Sequence, residues 1–322
     1  MKVDELPVIS ELSTPEKILF LELLHELTSQ IPDQKYKGNG RPPANLGEMI
    51  YSCCFKQYLD ISSRRSQSDI RLVEQNGYIN HAPHFNTILK YLRKPELKKI
   101  LTKLIEISAL PLREVESDFA VDASGFSTAM YGQWLTNRNV YKAKRTFKKV
   151  HCMCGVRTNI VTYVEVTDGY VHDTVMFESL VRNTARNFDM REVSADKGYS
   201  NQKNLQLVSE HGAIPYIIFK KNASTKGNNL LIWPVMVRYF KDHKEDFLEH
   251  YHKRSNVETV FSMMKRKFGS HVRARDSVAQ ENEVLCKVLC HNIVVLIHEM
   301  FELGIRVDFS DSRREFMCKM EV

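Results

Sequence analysis

The chain reads as an α/β domain, a mixed sheet flanked by helices, preceded by an all-α N-terminal part. Three observations predict this. Up to about residue 110 the apolar residues recur at helical spacing. At Asp118 the pattern changes to alternation, DFAVDASGFSTAM, and strand-like runs then interleave with helical ones. Finally, 322 residues at 43% hydrophobic content are enough for one large domain or two smaller ones, each with a core.

The charge balance bears on partners. A net charge of +7 leans toward a polyanion. No run approaches the roughly 18 apolar residues of a membrane span, so no membrane association is expected. The first residues, MKVDELPVISELSTPEK, carry acids and no apolar signal core, which points to an intracellular protein. Seven cysteines include no Cys-x-x-Cys. Cys152 and Cys154 share one face of a strand beside His151, without zinc spacing. Reduced core thiols in a cytosolic setting are the expectation.

Residues 15–30 read as a helix with proline in its first turn, 32–43 as a Gly/Pro-rich loop, 46–59 as a second helix, and 62–74 as a third with Arg64, Arg65 and Arg71. After a turn at Asn76-Gly77 and Pro83, residues 84–109 keep helical spacing as one element, capped by Asn86 or Thr87. Its cations Lys90, Arg93, Lys94, Lys98 and Lys99 suit a helix-turn-helix-like DNA reader. A plain helical cap with a solvated basic face is the other reading.

Residues 118–130 form the first strand, with Asp122 set among Phe119, Val121 and Ala123, where an uncompensated charge is costly. Between Asp122 and Glu165 there is no acid at all. Arg138, Lys142, Lys144, Arg145, Lys148, Lys149 and Arg157 fill that interval, with Tyr131, Trp134, Tyr141 and Phe147 among them. Cations bind phosphates and aromatic faces stack on exposed bases, so this segment suits nucleic acid. A solvated basic loop has the same composition.

Two strands follow around Thr158-Asn159, then His172-Asp173 before a helix at 174–187. Residues 191–212 read as strand, turn and helix, with Asp196 at the strand end before Lys197-Gly198-Tyr199. Such a carboxylate is either a turn former or a ligand presented to a crevice. Residues 214–222 form a fifth strand, and 224–245 are irregular or partly helical. Residues 269–276 are a loop carrying Arg273 and Arg275, and 278–304 a long apolar helix expected to cover the sheet.

Between these lies YHKRSNVETVFSMMK, residues 251–265, read as one amphipathic helix with Val257, Val260, Phe261, Met264 and Phe268 inward. At about 100° per residue, Tyr251, Arg254 and Lys265 fall within roughly 40° of Glu258. Taken alone, this is equally a surface helix with an i, i+4 pair between Arg254 and Glu258.

The spacing of Tyr251, Arg254, Glu258 and Lys265 resembles the Y-R-E-K signature of bacterial insertion-sequence transposases. Asp-Ala-Ser-Gly at 122–125 and Ala-Asp-Lys-Gly-Tyr at 195–199 resemble that family's two aspartate motifs, and they come in the right order. His172-Asp173 resembles a dipeptide found there too, either supporting the metal ligands from behind, or structural, or a helix cap.

The resemblance implies a ribonuclease H-like fold over roughly 118–300 and a metal triad of Asp122, Asp196 and Glu258. It implies two Mg²⁺ or Mn²⁺ ions, one activating water or a DNA 3′-hydroxyl and one stabilising the departing oxygen. Arg254 and Lys265 would hold phosphates and Tyr251 would contact DNA, with Lys197 beside them. The implied divisions are a DNA-binding part at 1–112, a catalytic domain at 113–305 and a charged tail at 306–322. The partners would be double-stranded DNA, both terminal inverted repeats and target, and further copies of the chain, in the cytoplasm with the nucleoid. A stand-alone metal-dependent nuclease and an inactive DNA-binding descendant remain open at this point.

Overall fold

A computed structural model describes residues 15–32, 39–40, 42–128, 146–219, 223 and 231–310. The chain divides into two compact units, one of residues 1–111, 267–269 and 273–322, the other of 112–266 and 270–272.

The first unit is all-helical among its described residues: α1 (Pro15–Ser29), α2 (Leu46–Leu59), α3 (Ser66–Gln75), α4 (Phe85–Leu92) and α5 (Glu96–Ala109), joined by the late helix Ser277–Glu302. Residues 84–109, expected as one helix, are two. Pro95 lacks an N–H and disfavours helical geometry at Lys94, so the chain turns there. The cap also lies earlier than expected. His84 accepts the Asn86 N–H at 3.3 Å, and Gln67 Oε1 accepts the Phe85 N–H at 2.7 Å, so Asn86 and Thr87 are inside the helix.

The late helix corrects a second expectation. It belongs to the first unit, not to the one that contains the sheet, and packs there with α1, α2, α4 and α5 as the centre. Val284, Leu285, Val288, Leu289, Ile293, Leu296 and Ile297 are all buried there. By length and composition it is apolar enough to cross a membrane, yet most of it is covered by these helices. Asn282 donates to the Leu92 and Lys94 carbonyls at 2.8 and 3.0 Å, closing backbone acceptors at the α4–α5 break.

The second unit is the α/β part. It contains β1 (Asp118–Ser127), β2 (Phe147–Gly155), β3 (Val161–Asp168), α6 (Asp173–Ala185), β4 (Glu192–Ala195), α7 (Gln202–Glu210), β5 (Ile214–Ile217), α8 (Ile232–Asp242), α9 (Lys244–His252) and most of α10 (Ser255–Phe268). The helix at 277–302 is then α11. The five-stranded sheet runs β3-β2-β1-β4-β5; β2 is antiparallel to β1 and β3, and β4 is parallel to β1 and β5. This mixed sheet with flanking helices is the expected ribonuclease H-like α/β fold.

Alternation along β1 puts Asp118, Asp122, Ser124 and Phe126 on one face, since successive side chains point to opposite sides. The β2–β3 turn is held from inside by Glu116. Its carboxylate accepts the Thr158 N–H at 2.6 Å, the Thr158 hydroxyl at 2.7 Å and the Arg157 N–H at 3.2 Å. Asn159, in the turn, takes a positive φ of 64°, which asparagine tolerates. Phe247 of α9 is fully buried against Tyr216 of β5 and Phe240 of α8, fixing α9 to the edge of the sheet. Burying a side chain of that size is worth roughly 1.5–3 kcal/mol.

The expected single helix over 251–265 is broken. α9 ends at His252 and α10 starts at Ser255, with i→i+3 bonds Arg254 N–H to Tyr251 O and Val257 N–H to Arg254 O between them. After α10 the chain returns to β1, where Ser127 donates to Ser270 O at 3.1 Å and accepts from Val272 N–H at 2.9 Å.

Candidate active site

The register pairs Val121 with Ala195, so Asp122 and Asp196 are each the next residue on neighbouring parallel strands. Strands are roughly 4.8 Å apart there. β4 stops at Ala195 because a 3₁₀ turn follows, with Tyr199 N–H bonding Asp196 O at 2.9 Å. Two helices pin that turn. Thr174 of α6 donates to Gly198 O at 2.8 Å, and Asn204 of α7 donates to Tyr199 O at 2.9 Å. The two aspartates are therefore brought together by sheet register and not by a flexible loop.

Burial raises the Asp122 carboxyl above the usual range. The Ala123 N–H and Arg254 oppose that rise, and the charges of Asp196 and Asp173 add to it. Its contacts are specific: Oδ1 accepts the Ala123 N–H at 2.8 Å and Oδ2 accepts from Arg254 Nη1 at 2.9 Å. Arg254 reaches Glu258 Oε1 with its other nitrogen, Nη2, at 2.5 Å. One guanidinium thus bridges the first and third members of the expected triad. Glu258 keeps 59% of its side chain exposed. The Arg254 guanidinium carbon also lies 6.0 Å from the centre of the Tyr251 ring.

Lys265, the fourth signature residue, donates to Ser124 Oγ at 2.6 Å and sits 5.5 Å from the Phe126 ring centre. Burial lowers its ammonium from the ordinary lysine range. Arg254 and Lys265 therefore contact alternate residues of one strand face, Asp122 and Ser124, one turning outward to Glu258 and the other inward to a hydroxyl.

Several contacts around these residues were not legible in the sequence. Asp173 pairs with Lys149, and its Oδ1 lies 3.4 Å from His151 Nδ1. His151 is fully buried, and burial pushes its imidazole down to about 4, with Asp173 opposing, so the ring is neutral at physiological pH. The His172 side chain makes no cap bond. Tyr199 is buried with no hydrogen-bond partner for its hydroxyl among the described residues; burial, then Asp173 and Asp122, push that phenol far up.

At the opposite end of β1, Lys253 donates to Asp118 Oδ2 at 2.8 Å and to Glu192 Oε2 at 2.7 Å. Arg191 adds a two-pronged contact to Asp118 at 2.9 and 2.8 Å, and His250 contacts Glu192 at 2.9 Å.

The other expected contacts fall as follows. Lys148 is buried and paired with Asp168 at 2.7 Å, so two of the basic segment's cations, Lys148 and Lys149, already hold carboxylates. Lys197, Lys90 and Arg93 are exposed. Trp134, Arg138, Lys142, Lys144 and Arg145 lie outside the described residues. The six described cysteines are buried free thiols, and burial pushes Cys152 and Cys154 up.

The donor chemistry of Asp122, Asp196 and Glu258 fits hard divalent cations, which take carboxylate oxygens. Two of the three already share one cation, the Arg254 guanidinium. Among the described residues no three His, Cys, Asp or Glu side chains converge as a closed metal site.

Comparison with known proteins identifies the family. The family model of the transposase DDE domain matches residues 113–293. The probable transposase for insertion sequence element ISA1214 of Archaeoglobus fulgidus is 26% identical over 275 residues, covering 84% of this chain and 81% of that protein. A solved piggyBac transposase synaptic complex with hairpin DNA is similar at a TM-score of 0.42 and 11% identity, covering 94% of this chain and 80% of that one. With the family model matching more than half of its length, the chain belongs to the DDE transposases of insertion sequences.

Proposed function

We propose that this transposase binds the ends of an insertion sequence, cleaves a DNA strand there and joins it to target DNA. Asp122, Asp196 and Glu258 are its metal-holding carboxylates. The observation that carries the reading is the sheet register that makes Asp122 and Asp196 neighbours, with Arg254 joining Asp122 to Glu258. Two Mg²⁺ or Mn²⁺ ions held there would supply Lewis-acid activation of the attacking oxygen and charge stabilisation of the departing one.

The chain's own residues set the geometry. The Asp122 carboxylate is held by the Ala123 N–H, and the Asp196 backbone by the 3₁₀ turn, so the sheet and the turn position both carboxylates before any ligand arrives. Glu258, on a helix and largely exposed, closes the site from the side that DNA would approach. Tyr251, Arg254 and Lys265 line the DNA path. Exposed Lys197 extends it from the sheet, and Trp134, Arg138, Lys142, Lys144 and Arg145 of the basic segment would add further DNA contacts, while Lys148 and Lys149 hold Asp168 and Asp173. Lys90 and Arg93 of the helical unit contact terminal repeats. The active form is a homo-oligomer on DNA, in the cytoplasm.

The test incubates purified protein with a labelled element end and Mg²⁺ and maps the cut. Alanine at Asp122, Asp196 or Glu258 should abolish cleavage while DNA binding persists. A variant retaining a tenth of wild-type cleavage removes that residue from the triad. Cutting without preference for the terminal repeat makes the protein a stand-alone nuclease.

A further inference from the structure

Among the described residues, Arg254 touches two members of the triad at once, and its guanidinium delivers one nitrogen to each. Planar, permanently charged and forked, it is suited equally to carboxylates and to phosphates. We propose that Arg254 exchanges between these two kinds of anion. Without metal it neutralises Asp122 and Glu258; when metal loads, it is released to grip a DNA phosphate. Metal loading and DNA capture are thereby coupled through a single side chain. The inference rests on Asp122 and Glu258 being metal ligands, as argued under Proposed function.

Three features of the site support the exchange. Asp122 and Glu258 lie 136 positions apart in sequence, on a strand and on a helix, so the bridge is tertiary and not a helix-local pair alone. The Arg254 side chain is 20% exposed and Glu258 59%, so the guanidinium has an outward path from the site. Lys253, meanwhile, is tied to Asp118 and Glu192, which anchors the backbone at the α9–α10 joint while the Arg254 side chain moves. A divalent cation drawing on Asp122 and Glu258 competes for the same oxygens, Oδ2 and Oε1, that the guanidinium holds. By linkage, the factor by which metal raises phosphate affinity through the freed Arg254 is the factor by which phosphate raises metal affinity.

The experiment uses the full chain. Mn²⁺ binding is measured by calorimetry without DNA for wild type, Arg254→Gln and Arg254→Lys. Removing the competing charge should tighten Mn²⁺ binding about three- to tenfold in Arg254→Gln, the range expected when a partly exposed, charge-assisted pair is lost. Arg254→Lys, a point charge without the fork, should fall between. Salt dependence of binding to an element-end duplex is then measured in EDTA and in Ca²⁺. For wild type the slope should steepen in Ca²⁺ by about one phosphate contact. For Arg254→Gln it should not change. Equal Mn²⁺ affinity in wild type and both variants, with binding measurable, overturns the exchange and leaves the triad standing. The same wild-type slope in EDTA and Ca²⁺ also overturns it. No Mn²⁺ binding by any of the three proteins overturns the triad itself. Circular dichroism of each variant establishes that it is folded before its affinity is read.

Discussion

Replacing Lys253 with methionine tests how the site is held in place. Methionine keeps an unbranched apolar stem but removes two bonds to carboxylates, at 2.8 Å to Asp118 and 2.7 Å to Glu192. A hydrogen bond to a charged group is worth about 1.5–3 kcal/mol. Three factors reduce the sum. The Lys253 side chain is 28% exposed, Asp118 keeps its contact from Arg191, and Glu192 keeps His250. Methionine also regains some packing from its stem. A net loss of about 2–3 kcal/mol follows, and at roughly 2–4 °C per kcal/mol for a unit of this size the melting temperature falls by about 5–10 °C.

The pH dependence carries its own sign. Burial alone would raise the Asp118 carboxyl, but the bonds from Arg191 and Lys253 outweigh it and leave it lowered. A lowered folded pKa contributes stability that is present above the unfolded value near 3.9 and lost as pH falls through the folded one. Wild type should therefore lose stability on acidification through that range, and Lys253→Met should lose less of it. Thermal unfolding from pH 7 to pH 3 measures both. A destabilisation under about 0.5 kcal/mol, with unchanged acid sensitivity, would show Lys253 to be a solvated surface cation and refute its role as an anchor.

Three further outcomes are expected. Asp122→Asn should stabilise the metal-free protein by about 0.5–2 kcal/mol, because it removes a buried charge that Asp196 and Asp173 repel, and the sign should reverse in high Mg²⁺; destabilisation in EDTA would mean that the Arg254 pair dominates. Lys287 is nearly fully buried and its ammonium is lowered by burial to about 8, so it binds its proton less tightly when folded than unfolded. Its charged form opposes folding below pH 8, and that opposition fades as pH rises from 8 toward its unfolded value, so denaturant titrations at pH 7 and pH 9.5 should show Lys287→Met gaining more over wild type at pH 7. A polypeptide of residues 1–112 lacks α11, the helix around which α1, α2, α4 and α5 pack, and its circular dichroism should be that of a largely unfolded chain; cooperative melting would refute this.

What was legible in the sequence follows from which interactions are local. The acid at Asp122 stood out because alternation placed it among apolar neighbours, and Asp196 because its strand ended on it before a glycine turn. The face of α10 was readable from its period, and all five residues assigned inward, Val257, Val260, Phe261, Met264 and Phe268, are buried. An apolar period says that a helix is buried but not against what, which is why α11 was assigned to the sheet. Pro95 marks the α4–α5 break, yet the apolar spacing continues on both sides of it, and that spacing reads residues 84–109 as one helix. Nothing comparable marks the break at Lys253-Arg254, because its cause is a set of ion pairs to Asp118, Asp122 and Glu192, between 61 and 135 positions away. Lys148 and Lys149 read as phosphate ligands because their carboxylate partners, Asp168 and Asp173, are distant in sequence.

That break has a mechanical reason. Asp118 and Asp122 share one face of β1 and are four residues apart, about 13 Å at strand rise. In a continuous helix, Lys253 and Arg254 would be only about 1.5 Å apart along the axis and about 100° apart around it. The i→i+3 joint lets Lys253 turn to the start of the strand and Arg254 to its middle. Eleven residues further along, Lys265 reaches Ser124, so the joint and α10 touch the strand at three points on the same face. Of these, the outer two fix the helix, one through paired carboxylates and one through the Ser124 hydroxyl. Only the middle one shares its charge with a largely exposed partner, Glu258. The outer contacts tie the joint and α10 to the strand, and the middle one is divided between Asp122 and Glu258.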